Sequence, residues 1–283
     1  MVVLKMENSL KAPFENEFTN AYDSQLADQF ITQGYVILPV SSMEVLDKIQ
    51  QLVVNVASKH LKIETDLPAI EFLNQIHHKI TVQQLNTFRL AVINQMNAKS
   101  WLRPDYFQLA QQAIESLVGN ELAMQRRVNL SIQLPQDSSS LLPIHADVWS
   151  GDSPFEMVVW LPLVDCRETK SMYILPAKHI EQLHQEFPSF EGQSSDAIFQ
   201  SVQDKLLWID IKYGEVLLFN QNLPHGNCVN QETETRWSMN CRFKSVFTPY
   251  ADKKLGEFFQ PITLRAMSRI GMNYRLPGDF SDE

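Results

Sequence analysis

Cysteine is scarce in this 283-residue chain, and Cys166, Cys228 and Cys241 form no Cys-x-x-Cys unit. That argues against a cysteine-built zinc site or a disulfide framework and fits reduced thiols. Clustered lysine and arginine are missing too, and the net charge is −9. Nucleic acid and anionic membrane surfaces both need such clusters, so neither is expected as a partner. No uninterrupted apolar run reaches the roughly eighteen residues of a membrane span. The opening stretch MVVLKMENSLKAPFENEF has no long apolar core and no small-residue cleavage site. It therefore reads as no signal peptide, and a cytoplasmic protein is expected. Internal repeats and low-complexity linkers are absent. Hydrophobic residues, at 44%, are sufficient for a sizeable core, so one domain over 1–283 is expected.

The character of the chain changes along its length. Residues 1–120 read as a mainly helical support, 122–250 as a strand-rich core with a loop-and-helix insertion at 180–212, and 251–283 as a helical tail. In the support, GYVILPV (34–40) reads as a strand, and Ser41-x-x-Glu44 resembles a capping box. Val45, Leu46, Ile49, Leu52, Val53 and Val56 then follow at helical spacing. A second helix is expected over 81–97, and a third from Pro104 to near Gly119. In the core, RVNLSIQLP (127–135) alternates with the period of a half-buried strand. FEMVVWLPLV (155–164), SMYILP (171–176) and YGEVLLFN (213–220) read as further strands. In TRWSMNCRFKSVF (235–247), Trp237, Met239, Cys241 and Phe243 share one side, and Arg236, Ser238, Asn240 and Arg242 the other. Short antiparallel strands in this density suggest a jelly-roll or barrel, mainly β with flanking helices.

The chemistry is concentrated in PIHADVWSGD (143–152) and NQNLPHGN (220–227). Two histidines and one carboxylate on one face of a metal leave the opposite face open, the arrangement of non-haem Fe(II) oxygenases. His145 and Asp147 supply two ligands after a polar-faced strand, and His225 supplies a third after the strand ending near Asn220. A His-x-Asp alone is common in loops. Here it is joined by Arg236 on the next strand and by Ser238, which points to the same face as Arg236. Turned inward, this pair suits a buried carboxylate, since an inward cation without an anion is costly. Turned outward, Arg236 would be an ordinary surface residue over a core Trp237. Alternation alone does not choose between the faces.

FITQGYVILP, HADVWSGDSPFEMVVWLPLVD, KSMYILPAKH, GEVLLFNQNLPHGN and ETRWSMNCRF together cover most of residues 30–247. On these stretches the chain resembles the phytanoyl-CoA dioxygenase-like branch of the 2-oxoglutarate/Fe(II) oxygenases, in particular its bacterial members from carbohydrate-biosynthesis clusters. It departs from the branch at Lys170-Ser171 and Pro176-Ala177-Lys178-His179, where the branch has Gly-Ser and Pro-Gly-Ser-His. The resemblance implies a double-stranded β-helix with Fe(II) held by His145, Asp147 and His225. It also implies 2-oxoglutarate chelating the iron, with its far carboxylate on Arg236 and Ser238. O2 would be consumed, succinate and carbon dioxide released, and a C–H bond of a small polar metabolite, such as a sugar or sugar derivative, oxidised. Asp147 at its position argues against a halide-binding variant.

Around this centre, Trp149 and Asp152 are candidates to meet a sugar ring and its hydroxyls, or else form a capped loop with a packed tryptophan. Asn129 and Gln133 are candidates for contact with substrate or cosubstrate. Lys170 reads as solvated and His179 as structural. His60, His77, His78 and His184 read as ordinary, and Cys228 and Cys241 as packing residues. Two other functions compete: a cupin-like metalloenzyme without 2-oxoglutarate, which has no use for Arg236 and Ser238, and a non-catalytic carbohydrate-binding barrel, which needs no complete metal triad.

Overall fold

The computed structural model describes residues 19–277. The opening stretch read as lacking a signal peptide therefore lies outside the described residues, as does the tail beyond 277. Helix α1 (Ala21–Gln33) starts on Asn20, whose side chain accepts the Asp23 amide, and ends at Gly34. The left-handed φ of 83° at Gly34 suits glycine. Strand β1 (Tyr35–Pro39) follows, then α2 (Met43–Leu61). The cap of α2 is Ser42, accepting the Val45 amide, and not Ser41. The Ser41 hydroxyl instead donates to the Gln108 carbonyl.

Helix α3 (Ala69–Asn74) leads to α4 (Val82–Asn97), where the Gln84 side chain accepts the Thr81 amide. The single helix expected from Pro104 to Gly119 is two, α5 (Leu102–Gln108) and α6 (Gln111–Val118). The chain turns at Leu109-Ala110, so both short helices bury their apolar sides. The next elements are β2 (Leu122–Gln125), β3 (Asn129–Gln133), β4 (Met157–Pro162), β5 (Tyr173–Ile174), α7 (Ile180–Glu186), α8 (Ser195–Val202), β6 (Leu207–Trp208), β7 (Glu215–Asn220), β8 (His225–Gly226), β9 (Arg236–Ser245), β10 (Phe259–Thr263) and α9 (Ala266–Asn273).

Helices hold more of the described residues than strands do, so the chain is less β-rich than its alternating stretches suggest. The tail also differs from its helical reading, because β10 pairs with β2 before α9 begins. Its packed face is satisfied by the sheet edge, with Phe259 fully buried.

The larger sheet is antiparallel and runs β1-β7-β4-β9-β2-β10, with β3 also pairing to β9. The long β9 makes this possible. Residues 236–240 face β3, and 243–245 face β2. The smaller sheet runs β6-β5-β8. The helical layer settles which face of β9 is which. Trp237 donates its indole N–H to the Leu73 carbonyl of α3 and meets Phe88 of α4 edge-on at 5.9 Å. Phe243 meets Phe107 of α5 at 6.0 Å. Trp237, Met239, Cys241 and Phe243 thus pack against helices. Arg236, Ser238, Asn240 and Arg242 turn the other way, toward the smaller sheet. The insertion closes the far side of that sheet, with Phe199 and Trp208 both on Tyr173.

Candidate metal and anion site

A cavity of about 160 Å³ opens between the sheets. The larger sheet lends it Ser131, Val158, Trp160, Phe219, Arg236, Asn240 and Arg242. His145, Asp147, Met172, His225, Gly226 and Asn227 line the other side.

Backbone pairing brings the two histidines together. The His145 amide donates to the His225 carbonyl at 3.0 Å, and the His225 amide donates back at 2.8 Å. Their ring centroids are 4.3 Å apart. Each ring is oriented by its own chain: Nδ1 of His145 donates to the Pro143 carbonyl at 2.9 Å, and Nδ1 of His225 to the Leu223 carbonyl at 2.8 Å. With the protons at Nδ1, both Nε2 atoms are free to ligate. Oδ1 of Asp147 lies 3.4 Å from Nε2 of His145. At that distance the two atoms can share one cation, a proton or a metal ion. One ligand atom from each of the three residues lies within 4.8 Å of the others, so bonds of about 2 Å to one ion require only modest side-chain rotation. The donor set therefore fits a divalent transition metal.

The electrostatics agree. Burial disfavours the imidazolium of His225, and neighbouring His145 adds to this, leaving its pKa at about 4, so the ring is neutral near pH 7. Burial opposes ionisation of Asp147, but its contact with His145 and the charge of Arg242 hold it well below the ordinary carboxylate range. Gly226 has a packing role: a Cβ there would stand 2.6 Å from both the Leu142 carbonyl oxygen and the Tyr173 hydroxyl. Only glycine lets β8 approach closely enough to deliver His225.

The other end of the cavity holds Arg236, 4% exposed. Its Nη1 donates to the Ser171 carbonyl at 3.0 Å and its Nη2 to the Ser131 hydroxyl at 3.1 Å, both neutral partners. Burial pulls its pKa down to about 10, which leaves it charged near neutrality. Nε of Arg236, the hydroxyls of Ser171 and Ser238, and Oε1 of Gln133 are all buried without a partner. The register gathers them: Gln133 lies opposite Arg236 and Ser131 opposite Ser238, while Arg236 reaches Ser171 directly. A buried cation with unpaired N–H and O–H donors around it fits a carboxylate.

The remaining candidate residues fall elsewhere. Gln133 donates its amide to the Cys228 carbonyl. Asn129 pairs across the strands with Asn240 and donates to its side-chain Oδ1 at 2.9 Å, and Asn240, not Asn129, lines the cavity. The ring of Trp149 packs on Phe187 at 4.9 Å, within the small cluster beneath the insertion. Asp152 is buried in an ion pair with Lys253. Lys170 is not solvated: it is 2% exposed and bonds Asn74 and Glu234. The three cysteines are free thiols.

Sequence reasoning missed Ser171, Ser131, Asn240 and Arg242 as members of the site. Alternation along β9 carried the signal for the last two, since they share a side with Arg236. Ser131 faces the same cavity one strand over. No sequence signal marked Ser171.

No family model matches the chain, and no curated protein matches it in sequence. Solved structures do share its fold. A non-heme monooxygenase, the ThoJ–Ni complex, superposes with a TM-score of 0.55 at 16% identity over 84% of each chain. EctD from S. alaskensis in its apo form gives 0.51 at 16% identity over 83% of this chain and 81% of that one.

Proposed function

We propose that the chain is an Fe(II)- and 2-oxoglutarate-dependent oxygenase that uses O2 to hydroxylate or otherwise oxidise a small polar metabolite, a sugar or sugar derivative, in the cytoplasm. In this reading the two sheets form a double-stranded β-helix. The observation that carries it is the single cavity with a metal-type triad at one end and an unpaired buried guanidinium at the other. A metal-binding protein that did not use a dianionic cosubstrate would have no reason to bear the cost of Arg236. Similarity of fold to a non-heme monooxygenase supports the same reading.

His145, Asp147 and His225 would hold the iron, which supplies activation of O2 once 2-oxoglutarate is bound. Arg236 anchors the distal carboxylate, with the hydroxyls of Ser171 and Ser238 as further donors and Gln133 beside them. Val158, Trp160, Met172 and Phe219 exclude water around the reacting centre. Asn240, whose Oδ1 is held by Asn129, offers its side-chain N–H to a hydroxylated substrate. Trp149 and Asp152 keep the loop after the metal motif in place, through Phe187 and Lys253.

Anaerobic titration with Fe(II) and 2-oxoglutarate tests the reading. A weak visible charge-transfer band should form only with both present and vanish in His225→Ala. Metal binding without any band would favour the cupin-like alternative. Succinate release across a panel of sugars and nucleotide sugars would then identify the substrate, and a release pattern indifferent to all of them would remove the carbohydrate assignment.

A further inference from the structure

The far oxygen of Asp147 is already taken. Nη2 of Arg242 donates to its Oδ2 at 2.6 Å, while Oδ1 is the oxygen turned toward His145. Arg242 is itself fixed. Its Nε donates to Oε1 of Gln221 at 3.1 Å, and its backbone amide donates to Gln125. Gln221 closes the circuit, because its carbonyl accepts the Asp147 amide at 3.2 Å and its side-chain amide donates to the Ser153 carbonyl at 2.8 Å. Asp152 is 4.0 Å from Nη2 and is occupied by Lys253, so it does not draw Arg242 away. Asp147, Arg242 and Gln221 thus form a closed ring that fixes both the backbone and one carboxylate oxygen of the acidic ligand.

We propose that Arg242 is a positioning residue that confines Asp147 to a single-oxygen bond with the metal. The proposal rests on the reading of the triad as a metal centre. A carboxylate with both oxygens free can chelate a divalent ion and take two coordination positions. Here the guanidinium holds the second oxygen in a charge-assisted bond, so that position stays open for a bidentate cosubstrate. A merely structural arginine would neutralise Asp147 through either oxygen. This one selects the oxygen facing away from the histidines.

Carboxylate stretching bands separate the two cases. Zn(II)-loaded minus metal-free infrared difference spectra would be recorded on carboxyl-¹³C-aspartate-labelled protein. The separation between antisymmetric and symmetric stretches should be wide in the wild type and in Arg242→Lys. In Arg242→Gln it should narrow to that of a chelating carboxylate, and the Kd for 2-oxoglutarate on the Zn(II) form should rise about 10-fold or more. If Arg242→Gln does not melt cooperatively, Arg242→Met, which keeps the reach of the side chain and removes its donors, replaces it with the same two outcomes. A narrow separation in the wild type overturns the proposal, as does an unchanged wide separation in the variant. Failure of the wild type to bind Zn(II) at all would remove the metal-centre reading along with it, whereas binding through both oxygens overturns the role of Arg242 alone.

Discussion

Two guanidinium groups sit at opposite ends of the same face of β9, and the fold treats them differently. Arg242 receives a carboxylate, a glutamine oxygen and a backbone anchor from the chain itself. Arg236 receives one carbonyl and one hydroxyl, no acid, and keeps an unpaired N–H. Burial penalises Arg236, which has no acid beside it, whereas the partly buried Arg242 is given a carboxylate by the protein. A cation that the fold completes stabilises the fold. A cation that it leaves incomplete is suited to an anionic ligand, toward which the neighbouring hydroxyls can donate.

Replacing each arginine with methionine, which has similar reach and no charge, should reverse the two outcomes. The largest effect is expected for Arg236→Met: loss of 2-oxoglutarate affinity by about 4 kcal/mol, close to a thousandfold, by calorimetric titration of the Zn(II) form. Its melting temperature without ligand should stay level or rise, because a buried unpaired charge has been removed. A fall of several degrees would make Arg236 a structural residue and weaken the anion-site reading. Arg242→Met should instead destabilise the metal-free protein by about 3 kcal/mol, since it strands Asp147 without its partner. The urea midpoint measures this, and a midpoint equal to that of the wild type would mean that the ring through Gln221 contributes little.

The contrast between these arginines was only half legible in the sequence. Period-two alternation put Arg236 and Arg242 on one side of a strand and Trp237 on the other, but the choice of inner face depended on α3 and α4, whose contacts with Trp237 are remote in sequence. The convergence of His145, Asp147 and His225 was readable because a metal site would demand those side-chain types. The tautomers were not, because they depend on the Pro143 and Leu223 carbonyls. Ser41 was mistaken for Ser42 as a cap because both precede the same helix and only the Gln108 contact separates them. Lys170 read as solvated because a lone lysine usually is, and Glu234 and Asn74, which bury it, come from distant segments.

The smallest expected effect sharpens the comparison by pH. His225 has its folded pKa depressed to about 4 by burial, with His145 adding to the shift, against about 6.5 in an unfolded chain. The unfolded state therefore binds the extra proton first. The stability that a neutral His225 contributes is fully present above about pH 6.5 and is lost as pH falls toward 4. Asp147, depressed in the opposite chemical sense, loses its contribution only below the unfolded carboxylate pKa of about 3.9, so the two windows barely overlap. Between pH 7 and 5 the metal-free protein should lose at most about 2 kcal/mol through this group. His225→Gln should flatten that limb, and Arg236→Met should retain it, because acidification in this range protonates His225 on β8 and leaves the Arg236 end of the cavity untouched. A limb that survives in His225→Gln would assign the proton uptake to another group and detach the acid sensitivity from the triad.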